Sequence, residues 1–503
     1  MNKKILFVAS FALTLVFVSC NKNMTALDAS YFKTTPNPLE VKGGKVDATV
    51  TGTFPVKYFN KKAVVTVTPV LKYNGAEAKA QSSTFQGEKV LANNQTIAYK
   101  SGGTFTINPS FLYTPDMAKS ELYLNFDVAQ KKKTYQLPAV KVADGVIATA
   151  ELASTSPKEL KPALTSDKFK RITQENQEAD ILFLIQQAQL RNSELKSSDV
   201  KAFTQKAKEV RDAQNKEIST LEVLGYASPE GALDLNTNLA EKRQKVTADY
   251  VNKEFKKLKE KITIDSRFTA EDWDGFQKLM ETSNIQDKDL ILRVLSMYQD
   301  PEQREREIRN LSSAFKSIAN DILPQLRRSR LKMTVDVTGK SDEEIAQLAT
   351  STPEKLSAEE LLYAATLSKT NDEKAAIYQK FVTLFPEDVR GYNNLGMVKY
   401  EQGQVDAAKS LFAKALSIDA KSADANYNAG LIALAKNNVS DAQTYFGKAA
   451  GTAGNLSAAL GTSYIAQGDY AKAQNALADV NSNNAALVQI LNADYNGARK
   501  TIA

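Results

Sequence analysis

Histidine is absent from all 503 residues. That removes the commonest general base and the commonest zinc ligand together, so Ser–His and Cys–His hydrolytic machinery is excluded. Cysteine occurs once, at Cys20, which rules out an internal disulfide and a thiolate metal cluster. Charge is nearly balanced. Removing Lys3 and Lys4 with a leader lowers the formal +7 to about +5, too weak over this length to argue for nucleic acid. No cofactor motif is present, so the chain is read as non-enzymatic, with no cofactor and no metal. Hydrophobic residues at 43% and charged residues at 24% suit folded soluble domains, which sets disorder aside.

Apolar runs are short as well. Residues 5–18, behind Asn2, Lys3 and Lys4, fall below the about 20 that a spanning helix needs and fit the core of a signal peptide. The run ends in Phe17-Val18-Ser19-Cys20, which resembles a lipobox with Phe17 where leucine is usual. The resemblance implies cleavage before Cys20 and acylation of its thiol, palmitate included. Each buried CH₂ of such chains contributes about 0.8 kcal/mol of anchoring. Asn21 differs from the Asp of an inner-membrane retention signal, and residues 21–25 lack an acidic export tag. The expected location is the outer membrane of a Gram-negative cell, with the periplasmic face favoured over the surface.

After the tether, alternation at Val46-Ala48-Val50, Val65-Val67 and Leu122-Leu124-Phe126-Val128 predicts half-buried strands. Asn74-Gly75 predicts a type I′ hairpin, and Ser101-Gly102-Gly103 another turn. Residues 27–153 therefore read as an all-β sandwich. Residues 154–168 hold two prolines and few apolar side chains, as a linker does.

The central region has a strand at 179–185, a helix at 200–214, a strand at 218–226, a helix at 239–258, then 262–264 and a last strand at 331–337. Within it, LEVLGYASPEGALDLNTNLAEKR at 221–243 resembles the peptidoglycan-binding OmpA-like family, whose pattern is G-x-x-D-x-x-G followed by N-x-x-L-S-x-x-R. Gly225, Gly231, Asn236, Leu239 and Arg243 match, and Arg327, Arg328 and Arg330 stand where the family places paired arginines. The resemblance implies a βαβαββ domain with a long insertion. It also implies a site in which an Asp takes the diaminopimelate amine while the arginine pairs its carboxylate, a bidentate contact. Here the Asp position is Ser228, which removes a charge-assisted contact of about 1.5–3 kcal/mol. Glu230 is the candidate stand-in. In the insertion, Glu271, Asp272 and Asp274 lack the ligand alternation of a calcium loop, so Trp273 and Phe276 read as packing anchors at a helix start. Asp300-Pro301-Glu302 reads as another helix start.

The last part repeats. Leu395, Gly396, Ala408, Phe412 and Ala415 recur as Ala429, Gly430, Ala442, Phe446 and Ala449, 34 residues on. This resembles the tetratricopeptide repeat (TPR). Leu460-Gly461 opens a shortened third copy, residues 361–386 resemble an earlier one, and residues 485–502 a degenerate last one. Such arrays present concave surfaces to peptide segments, and Asn393, Asn394 and Asn428 are the candidate partner-binding residues.

The chain thus divides into a leader (1–19), a lipidated tether (20–26), a β-sandwich (27–153), a linker (154–178), an α/β OmpA-like domain with insertion (179–340), a second linker (341–356) and an all-α TPR solenoid (357–503). The expected function is a lipid-anchored scaffold or accessory subunit of a cell-envelope complex, in outer-membrane protein assembly or in secretion. Its partners would be envelope proteins. The alternative is a structural anchor from outer membrane to peptidoglycan, through Arg243, Ser228, Glu230 and Asn236.

Overall fold

The computed structural model describes residues 24–259, 262–310 and 312–502. The expected leader and Cys20 lie outside them. Two compact units are distinguished: residues 24–167 with 365–502, and residues 168–364.

The first unit begins with a β-rich region. Its largest sheet runs in the order Lys133–Gly145, Ser120–Gln130, Ala63–Tyr73, Ser83–Gly87, Gln95–Ile97. A second sheet holds Phe32–Thr35, Thr49–Phe54 and Gly103–Ile107. Both feed one core: Val65, Val67, Phe126 and Val128 from the first meet Val50, Phe54, Phe105 and Ile107 from the second. Alternation drives this, because side chains of a strand point to opposite faces in turn. Strand Ala63–Tyr73 turns back to Ala76–Lys79 through Asn74 and Gly75, both at positive φ, as a type I′ turn requires. Gly102, at φ +70°, lies so close to the chain that an added Cβ would stand 2.4 Å from the Phe54 carbonyl oxygen.

The same unit ends in paired helices: Asn371–Leu384, then Val389–Glu401 with Val405–Ile418, Ala423–Ala435 with Val439–Phe446, Leu456–Gln467 with Tyr470–Ala476, and Asn483–Leu491 with Tyr495–Ile502. Three of these pairs close by one device. A glycine on the first helix receives a bulky side chain from the second helix or its C-terminal end: Gly396 takes Phe412, Gly430 takes Phe446, and Gly461 takes Leu477. Ala408, Ala415, Ala442 and Ala449 are fully buried behind them.

The second unit is a four-stranded sheet in the order Ile172–Leu182, Arg328–Thr338, Lys216–Tyr226, Ile264–Thr269; the last pair is parallel and the others antiparallel. Helices Ser198–Asp212 and Leu233–Lys257 supply Val200, Phe203, Ala207, Val251 and Phe255 to a core with Ile181, Val223 and Met333. Between strands Ile264–Thr269 and Arg328–Thr338, helices Trp273–Thr282, Lys288–Met297 and Pro301–Asn310 lead into Ile318–Ile322 and Leu323–Leu326, and the insertion has its own core around Phe276, Met280, Ile291 and Leu326. Asp272 and Asp300 cap the helices that follow them, accepting from Gly275 N at 2.8 Å and Gln303 N at 3.1 Å.

Several expectations change, among them the strand expected at 262–264, which runs over Ile264–Thr269, and the helix expected from 239, which starts at Leu233. The first strand of this unit runs over Ile172–Leu182 rather than 179–185. Its first half is polar and came out of the expected linker. Backbone pairing with Arg328–Thr338 along its whole length holds it there, helped by Gln174 to Asp336 at 3.0 Å and Thr334 to Asn176 at 2.9 Å. Leu184 and Ile185, expected in that strand, lie past its end and are exposed. The second expected linker, 341–356, contains the helix Asp342–Ser351, capped by Ser341 and seated by buried Ile345 and Ala349. The remainder of the first expected linker is also structured, as the next section describes.

Candidate functional site

Residues 154–167 lie along the first helices of the paired array. Asparagine suits this contact, because its amide offers one acceptor and two donors to a neighbouring peptide unit. Three asparagines each grip one residue by both its N–H and its C=O. Asn394 accepts from Thr165 N at 2.8 Å and donates to Thr165 O at 2.9 Å. Asn428 does the same with Ala163, at 2.7 and 2.8 Å. Asn484 does it with Ser154, at 2.9 and 2.8 Å. Asn393 ties these together: its amide donates to Ala163 O and to the Thr165 hydroxyl, and its oxygen accepts from Asn428 at 2.9 Å.

Other groups hold the carbonyls of the same segment. Tyr427 donates to Lys161 O at 3.2 Å, Tyr400 to Thr155 O at 3.3 Å, and Arg390 to Asp167 O at 3.0 Å. Burial pushes the Tyr427 hydroxyl up to about 12, so it stays a donor at neutral pH. Glu159 caps the helix Asn483–Leu491, accepting from Asn484 N at 3.0 Å and from the Asn483 side chain at 3.3 Å. Negative charge is favoured at such a helix start. Two apolar anchors complete the seat: Leu160 and Ala163 are buried in the core of the array. Ser156, Lys158, Lys161, Leu164 and Ser166 face outward and are exposed.

Asn393, Asn394 and Asn428, singled out in the sequence, are thus brought together around a peptide segment, and that segment is the chain's own. Asn484, Tyr400, Tyr427, Arg390 and the segment itself were missed. A signal for Asn484 was present: Asn394 and Asn428 stand two residues before Gly396 and Gly430, and Asn484 two before Ala486.

The glycine loop of the second unit is arranged differently. Gly225 is required for packing, because a Cβ there would stand 2.3 Å from the Ala240 carbonyl oxygen of helix Leu233–Lys257. Arg243 is 1% exposed. Its guanidinium donates to three backbone carbonyls: Tyr226 at 2.9 Å, Gln187 at 3.0 Å and Leu184 at 3.3 Å. It also lies over the Phe183 ring at 5.3 Å. Burial first, and Arg327 second, pull its pKa down to about 10, which leaves it cationic at neutral pH.

Ser228 and Glu230 do come together. The Ser228 hydroxyl donates to Glu230 at 2.8 Å, and the same carboxylate oxygen takes Arg327 at 2.6 Å. Asn236 sits apart from them, donating to Gly231 O at 3.1 Å. Arg243 hydrogen-bonds to none of the three. The insertion reaches this loop through Glu305, which accepts from Gly231 N at 2.9 Å. In the insertion, Asp272 pairs with Arg328 at 2.7 Å, and Glu271 accepts from Trp273 Nε1 at 3.0 Å.

A tetratricopeptide-repeat family model matches residues 389–422. No curated protein matches the chain. Among matching solved structures, a crystal structure of MamA is 18% identical over 31% of this chain and 90% of its own, with a TM-score of 0.24. MamA from Desulfovibrio magneticus RS-1 is 13% identical over 32% of this chain and 93% of its own, at 0.25. YrrB, described as a TPR protein with an unusual peptide-binding site, is 19% identical over 32% and 90%, at 0.24. The C-terminal array carries tetratricopeptide repeats, a scaffold for protein–protein interaction.

Proposed function

We propose that the chain is a lipoprotein, anchored through Cys20 at the periplasmic face of the outer membrane. There it acts as a non-enzymatic scaffold or accessory subunit of an envelope complex in barrel assembly or secretion. One observation carries this reading. Four asparagines on the first helices of the repeats form a surface that grips a peptide segment, here the chain's own residues 154–167, by its main chain. A protein built around such a surface holds other proteins.

We also read the second unit as OmpA-like in fold. Support comes from its strand–helix–strand–helix–strand order with an insertion before the last strand, and from the close approach at Gly225. The peptidoglycan-anchor alternative gains no support from Arg243, which is enclosed and already donates to three carbonyls.

Affinity purification from detergent-solubilised membranes tests the reading, with a Cys20→Ala chain as the unanchored control. Recovery of a barrel-assembly or secretion component with the wild-type chain is expected. Isolation of the chain alone, together with tight retention on purified sacculi, would overturn the scaffold reading in favour of the anchor.

A further inference from the structure

The way residues 154–167 sit in the repeats defines what the repeats take. Only Leu160 and Ala163 bury their side chains there, and nearly every other attachment is to main-chain atoms. Main-chain recognition is indifferent to sequence, as in strand addition to a sheet edge, so selectivity falls to the few side-chain seats. These seats have a fixed spacing. Glu159 meets the start of helix Asn483–Leu491, Leu160 enters the core, Ala163 fits a small space three positions later, and the Thr165 hydroxyl meets Asn393 two positions beyond that.

We propose that residues 154–167 are an internal stand-in for a partner's segment. The groove's ligand is a stretch of another protein that makes one turn at an acidic residue and an aliphatic one, as Glu159 and Leu160 do, and then carries a small residue three positions on and Ser or Thr two further. The stand-in must leave for the partner to load. This deepens the scaffold reading and rests on it.

The groove tolerates that exchange. Its walls are set by Gly396 against Phe412 and Gly430 against Phe446, which lie within the helix pairs and not in the segment. The gripping groups are amides, hydroxyls and the Arg390 guanidinium, which water satisfies when the segment departs. The segment has little structure of its own beyond one turn, with Glu159 N and Leu160 N donating to Ser156 O at 3.0 and 2.8 Å. What holds the groove shut is tethering, since a covalently linked segment acts at an effective concentration in the millimolar range.

The test uses the full chain and a fluorescein-labelled synthetic peptide of residues 153–168, followed by fluorescence anisotropy. Three proteins are compared: wild type, the Leu160→Asp/Ala163→Asp chain whose own segment cannot seat, and that chain with Asn394→Ala and Asn428→Ala added. Wild type is expected to show no saturation below about 1 mM, the tethered concentration. The opened chain should bind at least tenfold more tightly, and the asparagine changes should abolish the gain. If the opened chain loses its helical circular dichroism, the segment is an integral part of the array and the proposal fails. It fails too if the opened chain stays folded and does not bind. A peptide with Leu160 and Ala163 exchanged for lysine that bound equally well would overturn the assigned seats. Peptide binding without any co-purifying envelope protein would leave the groove assigned and remove the envelope reading. Co-purification without peptide binding would do the reverse.

Discussion

Replacing Arg243 with alanine separates a structural arginine from a ligand-binding one. The guanidinium donates to the carbonyls of Tyr226, Gln187 and Leu184 and covers the Phe183 ring. Hydrogen bonds from a charged donor contribute about 1.5–3 kcal/mol each, and a buried acceptor left without a partner costs about 1–3 kcal/mol. Leu184 and Gln187 lie on an exposed stretch where their carbonyls can rehydrate, whereas Tyr226 ends a strand inside the sheet. Adding the void left by the side chain, Arg243→Ala should destabilise the second unit by about 3–5 kcal/mol. Arg243→Lys, with one donor centre in place of a planar fork, should lose about half of that. The assay is urea unfolding followed by fluorescence of Trp273, the chain's single tryptophan, which lies in this unit. With a denaturant slope of about 2–3 kcal/mol per molar, the alanine midpoint should fall by about 1–2.5 M. A fall under about 0.3 M would refute the reasoning, because it would mean that the guanidinium is not committed to the backbone. Loss of sacculus binding in Arg243→Lys at unchanged stability would refute it from the other side.

Three further outcomes follow from the same geometry. Asn428→Ala removes the paired grip on Ala163, so trypsin should cut after the exposed Lys158 at least tenfold faster, read by mass spectrometry of timed digests; unchanged protection would contradict the assigned grip. Gly430→Ala puts a methyl 2.4 Å from the Phe446 ring and should destabilise the array by about 1–3 kcal/mol, with partial recovery on adding Phe446→Ala; thermal melting by circular dichroism measures both. Lys206, then Lys216, hold the Glu175 carboxyl below its ordinary value of 4.5. A depressed acid stabilises the fold above its unfolded pKa and loses that contribution as pH falls through the folded one. The second unit should therefore weaken below about pH 4.5, and Glu175→Gln should flatten part of that decline in urea midpoints taken at pH 7 and 3.5.

Much of the fold could be read from residues alone. The 34-residue spacing of Gly396 and Gly430 gave the helix pairs because one physical fit, glycine against phenylalanine, recurs at each. Asn74-Gly75 and Asp300-Pro301 marked a turn and a helix start, since both depend on local backbone chemistry. Segments whose placement depends on distant partners are not legible in this way. Residues 172–178 lack apolar alternation and are a strand because Arg328–Thr338 pairs with them. Residues 154–167 have the composition of a linker and are fixed by asparagines more than two hundred positions away. Arg243 had the right motif position, but no pattern reports that its donors face carbonyls on the 184–187 loop rather than a cleft.

That sequence distance also has a kinetic meaning. Helix pairs of a repeat array form from near neighbours and propagate quickly, while contacts between remote positions pay loop closure first. Thr165 meets Asn394 across 229 positions, and Ser154 meets Asn484 across 330. A segment synthesised before its receptor must therefore wait for the array to assemble, so the groove exists in an open form during every folding event. In that interval a competing chain would meet it unoccupied, and the order of assembly, not only affinity, decides which segment it keeps.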